Sequence, residues 1–176
     1  MQLKGPDNNQ FRVLRPESIM QMIESDYHKK INELCSVISD FVLQNSHTGD
    51  EDLSVSELLH LLIAKLNDEI KYLILKESGI LFPSIKKDLA NTVEKTSIDR
   101  QIFESIKTRH LIISELVERT RRVLSEQNLL RGLNDGWKLI DEVLRLLEDK
   151  IHGWTDLEQD LLFPQLTGVD PGATAN

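Results

Sequence analysis

Two glutamates and two histidines stand where this sequence repeats itself. Glu77 lies in the segment Leu73-Ile74-Leu75-Lys76-Glu77-Ser78-Gly79-Ile80-Leu81-Phe82-Pro83. Glu158 lies in Trp154-Thr155-Asp156-Leu157-Glu158-Gln159-Asp160-Leu161-Leu162-Phe163-Pro164, 81 residues later. Each glutamate precedes a proline by six residues, and each segment closes on Leu-Phe-Pro. A second repeat accompanies the first. Tyr27-His28-Lys29-Lys30-Ile31-Asn32-Glu33-Leu34 matches Arg109-His110-Leu111-Ile112-Ile113-Ser114-Glu115-Leu116 at an offset of 82, sharing the histidine, an isoleucine and Glu-Leu. Carboxylate and imidazole are the common ligands of Zn²⁺, Mn²⁺ and iron, and bridging carboxylates flanked by imidazoles hold metal pairs in helical bundles.

The apolar pattern places these groups on helices and points them inward. Upstream of Glu158 the sequence runs Trp137, Ile140, Leu144, Leu147, Ile151, Trp154, then Glu158 and Leu161. Leu59, Leu62, Leu66, Ile70, Leu73, then Glu77 and Ile80 repeat this alternating three-four spacing, the seam of a helix against a core. An unpaired carboxylate on such a stripe costs several kcal/mol and tends to take up a proton. The glutamates therefore require partners. Three arrangements satisfy them: a di-metal site bridged by Glu77 and Glu158 with His28 and His110 at its flanks; one metal held by all four; or a metal-free core in which each histidine pairs with one glutamate.

Four helices follow from the pattern. Pro16-Glu17-Ser18 opens the first, which runs to about Gln44 with Met20, Ile23, Tyr27, Ile31, Leu34, Ile38 and Phe41 on one side. Asn45 to Asp52 reads as a loop. Ser54 and Glu57 have the spacing of a capping box for a second helix that ends near Lys86, with Pro83 expected to kink or stop it. Asp88 to Ser97 reads as irregular. Ile98 to Ser125 forms the third helix, with Phe103, Ile106, His110, Ile113 and Val117 as its stripe. A link around Gly132 and Asn134 leads to the fourth, from Asp135 to Pro164. The fold class expected is all-α, an antiparallel up-down four-helix bundle built as two tandem hairpins. Residues 1–16 are expected to form an extended arm, 17–166 the bundle and 167–176 a flexible tail.

Composition sets the outer limits. The chain has 176 residues, a formal net charge of −8 and a single cysteine, Cys35. Interleaved charges without a basic stripe argue against nucleic acid or an anionic membrane as partner. No apolar run reaches the ~20 residues that span a bilayer. A lone cysteine cannot form an internal disulfide, and a cytoplasmic setting is expected. Cys35 reads as a small core residue, His47 as a loop residue, and His60 as a partly exposed histidine off the main stripe. Tyr27 and Tyr72 lie beside stripe positions, where packing is the expected role. Arg119-Thr120-Arg121-Arg122 suits a helix C-terminus. No Gly-rich phosphate loop, Ser-His-Asp order or Cys-x-x-Cys occurs.

From about Ser18 to Pro164, the in-step histidines and duplicated Glu…Leu-Phe-Pro resemble a hemerythrin-like (HHE cation-binding) domain, and within that family the repair-of-iron-centres di-iron proteins. The resemblance implies an iron centre, a di-iron one in full form, ligated by His28, Glu77, His110 and Glu158. It implies binding or sensing of O₂ or NO, or repair of damaged iron–sulfur clusters; a bundle of this size is expected as a monomer or homodimer. In that family the second and fourth helices each carry His-x-x-x-Glu. Here Leu73 and Trp154 occupy those histidine positions, and His152 points elsewhere round the helix. The alternative expectation is a degenerate, metal-free bundle that acts as an interaction or regulatory module.

Overall fold

The computed structural model describes residues 14–45, 53–90, 100–131 and 135–167. The expected arm before residue 14, the loops at 46–52, 91–99 and 132–134, His47, the tail from 168 and the side chain of Trp137 lie outside the described residues. Four long helices make up the rest, and no strand occurs among the described residues. Helix α1 is built from Pro16–Met22, Ile23–His28 and Lys29–Asn45; α2 from Leu53–Lys76, Glu77–Leu81 and Phe82–Ala90. Helix α3 is Arg100–Arg131, and α4 joins Asp135–Asp156, Leu157–Leu162 and Phe163–Thr167. Pro16 occupies the first turn of α1, where its missing N–H costs nothing. Helix α2 starts at Leu53, so Ser54 is already inside it.

The pairwise contacts establish the antiparallel bundle. Helix α1 packs on α2 and α4, and α3 packs on the same two. Along α1, His28 meets Glu77 and Ser39 meets Asn67, so α2 runs the other way. Lys76 reaches Ser105 while Glu69 reaches Arg109, and His110 faces Glu158 while Arg121 faces Glu148. The core between them is almost wholly aliphatic, from Ile19 and Ile31 through Leu66, Ile70 and Ile113 to Leu144 and Leu147.

Among the described residues three short π-helical segments interrupt the α-helices, and each ends on, begins on or begins beside a candidate ligand: Ile23–His28, Glu77–Leu81 and Leu157–Leu162. In α2 and α4 the cause is the Leu-Phe-Pro sequence. Pro83 and Pro164 have no N–H to give and would push on the carbonyl four residues back. The widened turn relieves that clash, and the Phe82 and Phe163 N–H groups bond to the Glu77 and Glu158 carbonyls five residues earlier. Neither helix stops at its proline. They continue to Ala90 and Thr167, past the ends expected from sequence.

Each π segment adds a residue to the turn and shifts the core-facing stripe by one. Ile80, expected inside, is 54% exposed, whereas Leu81 is fully buried. Leu161 is likewise half-buried and Leu162 buried. In α1 the same shift puts His28 in the core and leaves Tyr27 half-buried. Helix α3 has no such segment, and its stripe from Phe103 through His110 to Val117 is buried in the expected register. The Arg119–Arg122 run is not at the helix end, because α3 continues to Arg131. Arg121 instead pairs with Glu148 of α4, and Arg122 with Glu118.

Gly79 offers a local test of this geometry. It is exposed in the α2 π segment, and a Cβ there meets no atom within 4 Å. Gly79→Ala removes backbone freedom from the unfolded chain at no steric cost. It should raise unfolding free energy by about 0.5–1 kcal/mol. Chemical denaturation checks this, and a loss of stability would mean that the widened turn needs glycine.

Candidate metal centre

The four groups singled out by the repeat meet in the middle of the bundle. Glu77 and Glu158 are wholly buried, and His110 and His28 nearly so. His28 Nε2 lies 3.0 Å from Glu77 Oε2, and His110 Nε2 lies 2.7 Å from Glu158 Oε2. Each hairpin thus joins its own histidine and glutamate. Glu77, His110 and Glu158 also come together across the hairpins, with one ligand atom from each inside a mutual 4.8 Å. His28 stands outside that tighter group and reaches it through Glu77 Oε2.

Trp154 closes the centre. Its indole is completely buried and stands edge-on to both imidazoles, at centroid distances of 4.8 Å from His28 and 4.6 Å from His110. The ring does more than fill volume, because Nε1–H donates to Glu77 Oε2 at 3.1 Å. Leu73, the counterpart in α2, is apolar and fully buried. Phe82 stacks parallel to His28 at 6.2 Å. On the other flank, Thr155 Oγ1 lies 2.9 Å from His110 Nδ1 and donates to the Ile151 carbonyl.

Two oxygens are left over. Glu77 Oε1 and Glu158 Oε1 are shielded from solvent and, while both carboxyls are ionised, find no donor among the described residues. Buried carboxylate oxygens are expensive to leave unmatched, so this pair marks a place for a positive charge or a proton. Electrostatics agree. Burial, then the charge and hydrogen bonding of neighbouring Glu158, hold the Glu77 carboxyl well above its usual range, and the Trp154 N–H works weakly against them. Burial first, and His110 second, push His28 down to about 4. With Glu77 protonated, His28 faces no anion and has no reason to stay charged. Without a cation the centre is poised toward neutrality.

Such an arrangement can bind a divalent cation: carboxylate oxygens and an imidazole nitrogen converge, and the donor set suits iron, manganese or zinc. The sequence repeat singles out these three groups and His28 beside them. It did not reveal the indole N–H, since Trp154 reads as an apolar substitute, nor Thr155, although that residue sits three positions before Glu158 on the same helix. Also missed was Glu69, buried between Lys65 and Arg109, whose carboxyl those hydrogen bonds, Lys65 first, keep below the usual range despite burial.

The remaining singled-out residues lie away from the centre. His152 is exposed. His60 is half-buried, its Nε2 shielded and unpartnered in a cleft of about 240 Å³ between α1 and α2. The Cys35 thiol is buried and pushed up to about 12, so it is an unreactive core group. Tyr27 lies against Gly153, where a Cβ would come within 2.8 Å of its ring, and Tyr72 supports the Arg109 guanidinium 4.8 Å from its centroid. Among the described residues no helix is long and apolar enough to cross a membrane. No protein-family model matches this chain, and no curated protein matches it.

The pH dependence of the metal-free protein follows from these shifts. His28 binds fewer protons folded than unfolded between about 4 and 6.5, so its contribution is lost as pH falls through that window. Glu77 binds more protons folded than unfolded above 4.5, so stability drains away as pH rises, by at most ~1.4 kcal/mol per pH unit for one group. Glu77→Gln removes the second effect. In chelator-treated protein, denaturation from pH 5 upward should show the variant gaining steadily on wild type; parallel curves would mean that Glu77 ionises freely.

Proposed function

We propose that this chain is a hemerythrin-like cation-binding protein. Its buried Glu77, His110 and Glu158, backed by His28, hold non-haem iron and bind a small diatomic ligand, O₂ or NO. The observation that supports this most strongly is the pair of solvent-shielded, partnerless oxygens, Glu77 Oε1 and Glu158 Oε1, beside an imidazole. A divalent cation satisfies both at once. The duplicated Glu…Leu-Phe-Pro, with its in-step histidines, supports the hemerythrin-like assignment. Iron bound there would supply a redox-active centre with positions open to a diatomic ligand. The protein's own part is to keep water out through Trp154, Leu73 and Phe82, and to fix Glu77 through His28 and the indole N–H. Sensing of O₂ or NO, and participation in iron–sulfur cluster repair, are the roles that this chemistry serves.

A second reading rests on Trp154. Its ring fills the space between the two imidazoles, and its N–H already satisfies one Glu77 oxygen. A bundle so closed could work without metal, its carboxyls sharing a proton, as an interaction or regulatory module.

Elemental analysis of protein purified without a nickel column separates the two. Iron retained by wild type and lost from Glu77→Gln, with a thermal midpoint that rises on adding Fe²⁺, is the expected result. No retained metal and no thermal shift with Fe²⁺ would leave the metal-free module. Leu73→His combined with Trp154→His should tighten iron binding by restoring one-turn His-Glu pairs. No gain in affinity would count against the alignment of α2 with α4.

A further inference from the structure

The two halves of the centre repeat in sequence but not in hydrogen bonding. In the first half, Glu77 Oε2 is already occupied twice, by His28 Nε2 at 3.0 Å and by the Trp154 N–H at 3.1 Å. In the second half, the one side-chain nitrogen at Glu158 Oε2 among the described residues is His110 Nε2. Behind His110 stands Thr155, whose counterpart in α2 is the apolar Ile74. The Thr155 hydroxyl has one hydrogen, and it goes to the Ile151 carbonyl at 2.9 Å. Its oxygen is then free to accept, and an imidazole that binds a cation through Nε2 must carry its proton on Nδ1 and donate it there. A neutral imidazole that donates from Nδ1 presents a bare lone pair at Nε2. That lone pair lies in the group within 4.8 Å that also contains Glu77 and Glu158.

We infer that the bundle holds one cation per chain, on Glu77, His110 and Glu158, and that Thr155 is the positioning residue that aims His110 Nε2 at it. This deepens the proposed function and rests on it. The inference differs from the di-metal expectation for a physical reason. Glu77 Oε2 already meets the Trp154 N–H and His28 Nε2, which leaves Oε1 as its one open oxygen for an ion. A metal-ligating imidazole ordinarily has a hydrogen-bond acceptor behind its other nitrogen, and losing that acceptor costs about 10–100-fold in affinity. Thr155 supplies it here, one helical turn before a ligand of its own helix.

The test titrates chelator-treated protein with Fe²⁺ under argon, and separately with Mn²⁺, in wild type, Thr155→Val, Thr155→Ser, His28→Gln and His110→Gln. Thermal melts of the metal-free proteins verify that each variant is folded. Wild type should bind one ion. Thr155→Val, which keeps the shape and loses the acceptor, should weaken binding about 10–100-fold, and Thr155→Ser should restore it. His110→Gln should abolish binding, while His28→Gln should keep the stoichiometry of one. Two ions per chain, equal sensitivity to His28 and His110, or unchanged affinity in Thr155→Val would overturn this inference and leave iron binding standing. Failure of wild type to bind either ion would remove the proposed function itself, and the one-ion site with it.

Discussion

Two carboxylates buried side by side are the constraint that the rest of this bundle answers. Neither Glu77 nor Glu158 is open to solvent, and while both are ionised each keeps an oxygen that no donor among the described residues satisfies. Their neighbours are arranged around that excess of lone pairs. His28 and His110 each take one oxygen, Trp154 gives its N–H to Glu77, and Thr155 stands behind His110. Like charges this close in a dry interior cannot both persist uncompensated, which is why Glu77 favours its neutral form when nothing else supplies positive charge.

The backbone contributes directly. A proline six residues after each glutamate would damage an ordinary helix, yet α2 and α4 absorb theirs by widening one turn. The turn begins at Glu77 in α2 and one residue ahead of Glu158 in α4. The Phe N–H that closes it bonds to the glutamate's own carbonyl. Leu-Phe-Pro is therefore a device for setting the rotation of the helix at the ligand, with the phenylalanine anchoring it in the core. Such widened turns recur at functional positions in helices, where the extra residue re-aims a side chain. Here three of the four ligand candidates lie in one.

Much of this was legible in the residues, for reasons that are local. Four helices follow from the three-four spacing, which α3 keeps without interruption from Phe103 to Val117. The partnering of His28 with Glu77 and His110 with Glu158 follows from the duplication, because a repeat that folds as two hairpins must place equivalent residues equivalently. The phase of the stripe after each glutamate was not legible. A steady period predicts Ile80 and Leu161 inside, and the inserted π residue puts Leu81 and Leu162 there instead. The same insertion explains why Tyr27 fits the stripe on paper while His28 occupies the core. In sequence Trp154 shows only its bulk, and nothing in the spacing singles out Thr155. What each does depends on a single hydrogen atom, and spacing carries no information about that.

The central claim is that a positive charge or a proton must sit between Glu77 and Glu158. Difference infrared spectroscopy of chelator-treated and Fe²⁺-loaded protein, in the carboxyl stretching region, tests it most directly. The account predicts a protonated-carboxyl band at neutral pH in the metal-free protein, absent from Glu77→Gln and lost on loading. Ionised carboxylates in the metal-free state, with no such band, would contradict it.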